Sequence, residues 1–258
     1  MTSIVGIRCR DGVVIGADSS ATFGDGAHIR TIEQLTERKI EVIGEQVIVA
    51  GTGYLGHGQR FCEVVQKMHK EGGFKNKPAL AIARQLSKAG ISDFSQTVPT
   101  AHLKQLDYSA FVAYPAGAHP CLCELPGLLG FQPEIKEPGD LWFTSAGSGQ
   151  HITDSFVALF KEIFWKDGPP NVRGGIFTAL WSLRHACEVN PGGIKGPVRI
   201  AVLAREGSKL RARMLDDDKL AEHQNIVTAA TEHMRGFLEI LDGKTETSDV
   251  PQPPKPQS

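Results

Sequence analysis

The start of the chain constrains its fold most. Ile4–Cys9 and Val13–Ala17 are short apolar, β-branched runs joined by Asp11-Gly12. Asp-Gly between such runs is a strong short hairpin signal. The chain therefore opens with two antiparallel strands, and only Met1, Thr2 and Ser3 come before them. An initiator methionine before a residue as small as threonine is normally removed, so the mature chain is expected to begin at Thr2. That residue would then carry a hydroxyl and a free α-amine at the end of a buried strand.

The composition narrows what such a strand can belong to. The 258 residues can bury one substantial core, and 41% hydrophobic with 22% charged residues fits a soluble globular chain. Basic and acidic residues number 28 and 29, with no basic stripe, so no nucleic-acid partner is expected. Cys9, Cys62, Cys121, Cys123 and Cys187 are scattered and odd in number, which points to a reducing, cytoplasmic setting without a disulfide framework. Cys121-x-Cys123 has no second pair at zinc spacing and reads as two strand residues facing one side. The histidines show no paired ligand spacing, so neither metal nor cofactor is expected. No signal-peptide pattern opens the chain. The weakly charged stretch 109–133 is broken by Pro115, Pro120, Glu124 and Pro126, so no membrane span is expected.

Taken in order, a loop over Ser19–Thr31 follows the first hairpin, and Arg38–Ile43 with Gln46–Ala50 make a second hairpin. Two helices are expected next, the first carrying Phe61, Val64, Val65 and Met68, the second over Lys77–Ala89. Asp93–Gln105 reads as a polar connection. Strands are expected at Tyr108–Tyr114, Pro120–Leu125, Leu129–Ile135 and Leu141–Ala146. Helices follow over Gln150–Trp165 and Asn171–Glu188, then a hairpin of Pro197–Ala204 and Lys209–Met214, then a helix over Asp216–Leu241. Strands grouped as hairpins imply antiparallel sheets. The expected fold is an α+β four-layer αββα sandwich with two antiparallel sheets over residues 1–242. A Pro-rich disordered tail is expected over 243–258, where Pro253-x-x-Pro256 reads as bare tail rather than ligand.

Gly51-x-Gly53-x-x-Gly56 matches a dinucleotide fingerprint between a strand and a helix. Its strand belongs to a hairpin, though, and no acidic residue ends a second strand where a ribose would need one. A Gly-rich strand-to-helix turn also exposes backbone N–H groups suited to an oxyanion. A threonine hydroxyl needs a base at neutral pH, and a free α-amine, with a reference pKa of about 8, can serve. A neighbouring cation lowers the pKa of that amine, and a carboxylate holds the cation. Asp18, ending the second strand, and Lys39, beginning a later one, are the candidates.

The run of Thr2, "GADS" at Gly16–Ser19, "RKI" at Arg38–Ile40, "VAGTG" at Val49–Gly53 and "AGSG" at Ala146–Gly149 resembles the proteasome β-subunit family, its bacterial proteasome-like branch included. These are N-terminal nucleophile hydrolases, and the resemblance runs from about Thr2 to Met214. It implies Thr2 as nucleophile, its amine as base, and Asp18 with Lys39 as supporting ion pair. It implies the Gly51 N–H as oxyanion donor, Val49 lining the primary specificity pocket, and Ser148 holding the amine. Ser148 alone also reads as a helix N-cap. By the same resemblance the protein self-assembles into stacked rings, hydrolyses peptides or unfolded proteins, and is fed by an ATP-dependent unfoldase. A narrow amidase or transpeptidase and a catalytically impaired ring scaffold are the alternatives. Two departures matter. The loop before Lys39 is longer than the family's. The family's Asp-x-x-Ser-Gly-Gly becomes Glu188-Val189-Asn190-Pro191-Gly192-Gly193, which lengthens the carboxylate arm and replaces a serine by a residue with no N–H.

Overall fold

The computed structural model describes residues 2–23, 30–32, 39–97, 106–139, 141–190 and 193–243. Met1, Arg38, Pro191 and the expected tail beyond Gly243 lie outside the described residues.

Strands β1 (Ile4–Arg8) and β2 (Gly12–Ala17) form the opening hairpin, with Ile4 opposite Ala17 and Arg8 opposite Val13. Every residue of both strands is buried, because both faces are covered. Ile4, Val13, Ile15 and Ala17 point into one apolar cluster, while Val5, Ile7 and Val14 point into another. The period of two thus divides one hairpin between two cores. Gly16 lets a helix approach closely, since a Cβ there would sit 2.7 Å from Leu183 Cδ1.

The segment expected to be a loop after β2 contains a small ribbon, β3 (Ala21–Phe23) with β4 (Arg30–Ile32), which pairs Thr22 with Thr31. Next come β5 (Ile40–Ile43) and β6 (Val47–Gly53), then α1 (Leu55–Lys70) and α2 (Ala79–Phe94). Helix α2 outruns its expected end because Phe94 is fully buried and anchors its last turn. Strands β7 (Tyr108–Ala116), β8 (His119–Leu125), β9 (Glu134–Lys136) and β10 (Phe143–Ala146) follow. The strand expected from Leu129 is a 3-10 turn over Gly127–Leu129 with only a short strand after it, and Leu128 and Leu129 are exposed. Helices α3 (Gln150–Phe164) and α4 (Val172–Val189), strands β11 (Arg199–Glu206) and β12 (Lys209–Met214), and α5 (Asp217–Leu241) complete the chain.

The strands form two antiparallel five-stranded sheets, ordered β10-β1-β2-β11-β12 and β5-β6-β7-β8-β9. Helices α1 and α2 cover the second sheet through a cluster including Phe61, Ile82, Leu86 and Tyr108. Helices α3, α4 and α5 cover the first through Phe160, Leu180, Leu183 and Val227. The sheets face one another across Ile4, Ile15, Ile48 and Phe111. This is the four-layer αββα sandwich, and Thr2 stands at one end of its inter-sheet layer. Fully burying each such aliphatic side chain contributes about 1.5–3 kcal/mol, so the layers hold the opening strand firmly in place.

Candidate active site

Register assembles the site. The β1–β10 ladder pairs Ile4 with Ala146, so two further steps set Thr2 beside Ser148. The Thr2 N–H donates to Ser148 Oγ at 3.1 Å, and the Thr2 carbonyl accepts from Gly149 N–H at 3.1 Å. The turn that makes this possible needs glycine: Gly147 has φ +94°, and a Cβ there would overlap the Thr2 carbonyl oxygen. Helix α3 begins after Gly149, which makes no side-chain cap, and the Ser148 hydroxyl is used on Thr2 instead.

Asp18 follows β2 and is 1% exposed. Its Oδ1 accepts from Ser3 N–H at 2.9 Å and from Lys39 Nζ at 2.6 Å. Its Oδ2 accepts from Ser20 N–H at 3.1 Å, with the Ser20 hydroxyl at 2.5 Å. That hydroxyl also lies 2.8 Å from the Gly193 carbonyl and accepts from Lys195 N–H at 3.2 Å. The carboxylate is thus fixed by backbone donors and tied to the loop after α4. Burial pushes the Lys39 ammonium below the usual lysine range, and attraction to Asp18 recovers only part of that shift.

Gly51 belongs to the part of β6 nearest the site. Tyr54 N–H donates to Asp107 O at 3.0 Å beside β7, so strand alternation turns the Gly51 N–H away from β7, toward the Lys39 side. Its neighbour Thr52 comes close to Thr2, since a Cβ on Gly147 would lie 3.2 Å from Thr52 Oγ1.

Thr2, Asp18, Lys39 and Ser148 are therefore brought together, with Gly51 on the adjoining strand. Two expected residues are placed elsewhere. Val49 is 1% exposed and packs beneath α1 and α2. The Glu188 side chain is 66% exposed and faces Arg184 at 3.9 Å. It lines a cavity of about 470 Å³ with Cys187, Pro197 and Thr228, which Thr2 does not reach. Ser20 and Tyr108 surround the site without having been singled out by the sequence, and Thr52 and Gly147 do so from within quoted motifs that gave them no role. For Ser20 the only local signal was its position two residues after an aspartate that ends a strand.

Residues 1–98 match the Proteasome subunit family. A 66-residue stretch is 32% identical to a proteasome subunit beta of Nanoarchaeum equitans, covering 26% of this chain. That match spans 31% of the relative's length. The fold is similar to that of an Anbu (Gly-1) mutant from Hyphomicrobium sp. strain MC1, with TM-score 0.65 and 14% identity over 93% of this chain and 97% of that one. The comparisons support a proteasome β-family assignment. On this fold, the Thr2 end of the inter-sheet layer is the candidate active site.

Proposed function

We propose that this protein is an N-terminal threonine hydrolase of amide bonds, active once Met1 is removed. The observation that supports it best is the 2.6 Å ion pair between half-buried Lys39 and buried Asp18, with Asp18 also holding Ser3, the residue next to Thr2. In the proposed reaction the Thr2 α-amine takes the Oγ proton as Oγ attacks the carbonyl carbon. The Gly51 N–H stabilises the oxyanion, and the protonated amine gives its proton to the leaving nitrogen. Water, activated by the same amine, then attacks the ester and restores Thr2. Lys39 keeps positive charge near the amine and favours its unprotonated form, while Ser148 orients it. The substrates are peptides or unfolded proteins. The protein works as stacked rings of its own copies in the cytoplasm, supplied by an ATP-dependent unfoldase. No helix among the described residues is long and apolar enough to cross a membrane.

Intact mass after incubation with a peptide epoxyketone tests the reading. The expected result is a chain lacking Met1 with one adduct at Thr2, absent in Thr2→Ala. A retained Met1 without adduct overturns it. One observation favours a second reading, a ring scaffold with impaired catalysis: Glu188, standing where the family's supporting aspartate would be, points to Arg184 and solvent.

A further inference from the structure

The two faces of β6 beside Thr2 are not equivalent. Strand β6 pairs with β7 as far as Gly53, but with β5 only to Ala50. Among the described residues, Gly51–Gly53 therefore have no strand partner on the Lys39 side. An extended substrate can add to such an edge through main-chain hydrogen bonds, its side chains alternating between faces. Thr52 shares the parity of Ile48 and Ala50, which face the inter-sheet layer where Thr2 lies. Gly51 shares the parity of Val47 and Val49, which face the helices.

The helix-side face is already filled. A Cβ on Gly51 would lie 2.6 Å from Tyr108 Cε2 and 2.8 Å from Cζ, and would overlap the hydroxyl oxygen. The same ring stands 3.4 Å from the Cβ position of Gly58 on α1. Tyr108 is 3% exposed and its centroid lies 6.0 Å from Phe61, 6.0 Å from Phe94 and 6.1 Å from Phe131. It enters from β7 with its hydroxyl end leading beneath Gly51, and the packed rings behind it leave no direction of retreat. An acyl residue whose carbonyl accepts from Gly51 N–H sits opposite Gly51 in the added pair, with its side chain on the face that Tyr108 occupies.

We propose that Tyr108 sets the acyl specificity of the site, which takes amides whose acyl residue carries no side chain or a methyl group and rejects larger ones. This rests on Thr2 as nucleophile and Gly51 as oxyanion donor. A larger acyl side chain has to displace the ring, the kind of overpacking that dense interiors resist.

The test uses peptide epoxyketones carrying Gly, Ala, Leu, Phe or Arg next to the warhead, with the rate of Thr2 labelling on the full chain read by intact mass. Gly and Ala probes are expected to label, and Leu, Phe and Arg probes to label at least about tenfold more slowly. In Tyr108→Ala that gap should narrow or reverse. A folded Tyr108→Ala that keeps the gap overturns Tyr108 as its cause. Should that variant fail to fold, the size series on the native chain still decides. Fastest labelling by the Leu, Phe or Arg probe overturns the proposal while leaving Thr2 a nucleophile. Labelling by none of the probes overturns the nucleophile assignment and this proposal with it.

Discussion

Two lysines of this protein, the half-buried Lys39 and the buried Lys136, are held in opposite ways. Lys136, on β9, has a side chain only 3% exposed and meets two carboxylates, Glu124 at 2.9 Å and Glu134 at 2.6 Å. Thr144 Oγ1 donates to Glu124 Oε2 at 2.5 Å, so the cluster joins β8 and β9 of one sheet to β10 of the other. Burial pulls the Lys136 ammonium down, but its hydrogen bonds to Glu134 and Glu124 outweigh this and carry it above the ordinary range. Lys39 has a side chain 12% exposed and one carboxylate, which it shares with the N–H groups of Ser3 and Ser20. There burial wins and its affinity for a proton falls. The number of acceptors around each ammonium decides the outcome. A lysine with surplus carboxylate is locked as a charged brace between sheets, whereas one with a single shared carboxylate holds its proton less tightly than an ordinary lysine.

Substitution should separate the two. Lys39→Ala is expected to slow Thr2 labelling by about a hundredfold or more, the scale of a lost electrostatic contact at a reacting centre, with Lys136→Ala labelling at the native rate wherever it is folded. A Lys39→Ala chain that labels normally would break the comparison. Lys136→Ala should instead lower stability to urea by about 3 kcal/mol, because it strands Glu124 at the sheet interface. Adding Glu124→Leu should recover much of that loss.

Titration sharpens the contrast further. In ¹³C-lysine NMR, Lys39 should release its proton below pH 10.5 and Lys136 above it. The effects on stability then have opposite signs. The Lys136 contribution is complete below the unfolded pKa and is lost as pH rises through its higher folded value. For Lys39 the unfolded chain holds more protons between the lowered folded value and 10.5, so raising pH across that window stabilises the fold. The reverse order of release would sink the distinction. The smallest effect concerns Cys187, whose thiol is pushed up to about 11 by burial and by the nearby Asp18 charge, with Lys39 opposing. Alkylation of native protein at pH 8 should leave it largely unmodified, and Asp18→Asn should speed the reaction by a few-fold at most, within reach of one surface-distance charge.

Much of the fold was legible because its signals are local. The Asp11-Gly12 turn, the β-branched runs beside it and the grouping of strands into hairpins led to two antiparallel sheets before any contact was known. The site was legible where short segments end in register: Thr2, Asp18 and Ser148 each stand within two residues of a strand terminus, so pairing alone brings them close. What stayed hidden depends on side chains meeting across layers. Nothing near Glu124, Lys136 or Thr144 announces their cluster, since each sits on a different strand. Tyr108 reads as an ordinary strand residue, and only the sheet shows that its ring passes beneath Gly51. Glu188 was placed by motif spacing, but the last turn of α4 presents it to Arg184. The polar stretch after Asp93 concealed Phe94, whose burial extends α2.

The Ser20 hydroxyl has a consequence for the order of synthesis. Thr2 is synthesised well before its partner Ser148, which lies 146 residues downstream, and the Gly193 carbonyl reached by Ser20 lies 173 residues beyond Ser20. At ordinary elongation rates the second gap alone takes on the order of ten seconds. The proposed nucleophile is therefore made long before its surroundings are complete, so an interrupted nascent chain carries a threonine without the neighbours that would make it reactive.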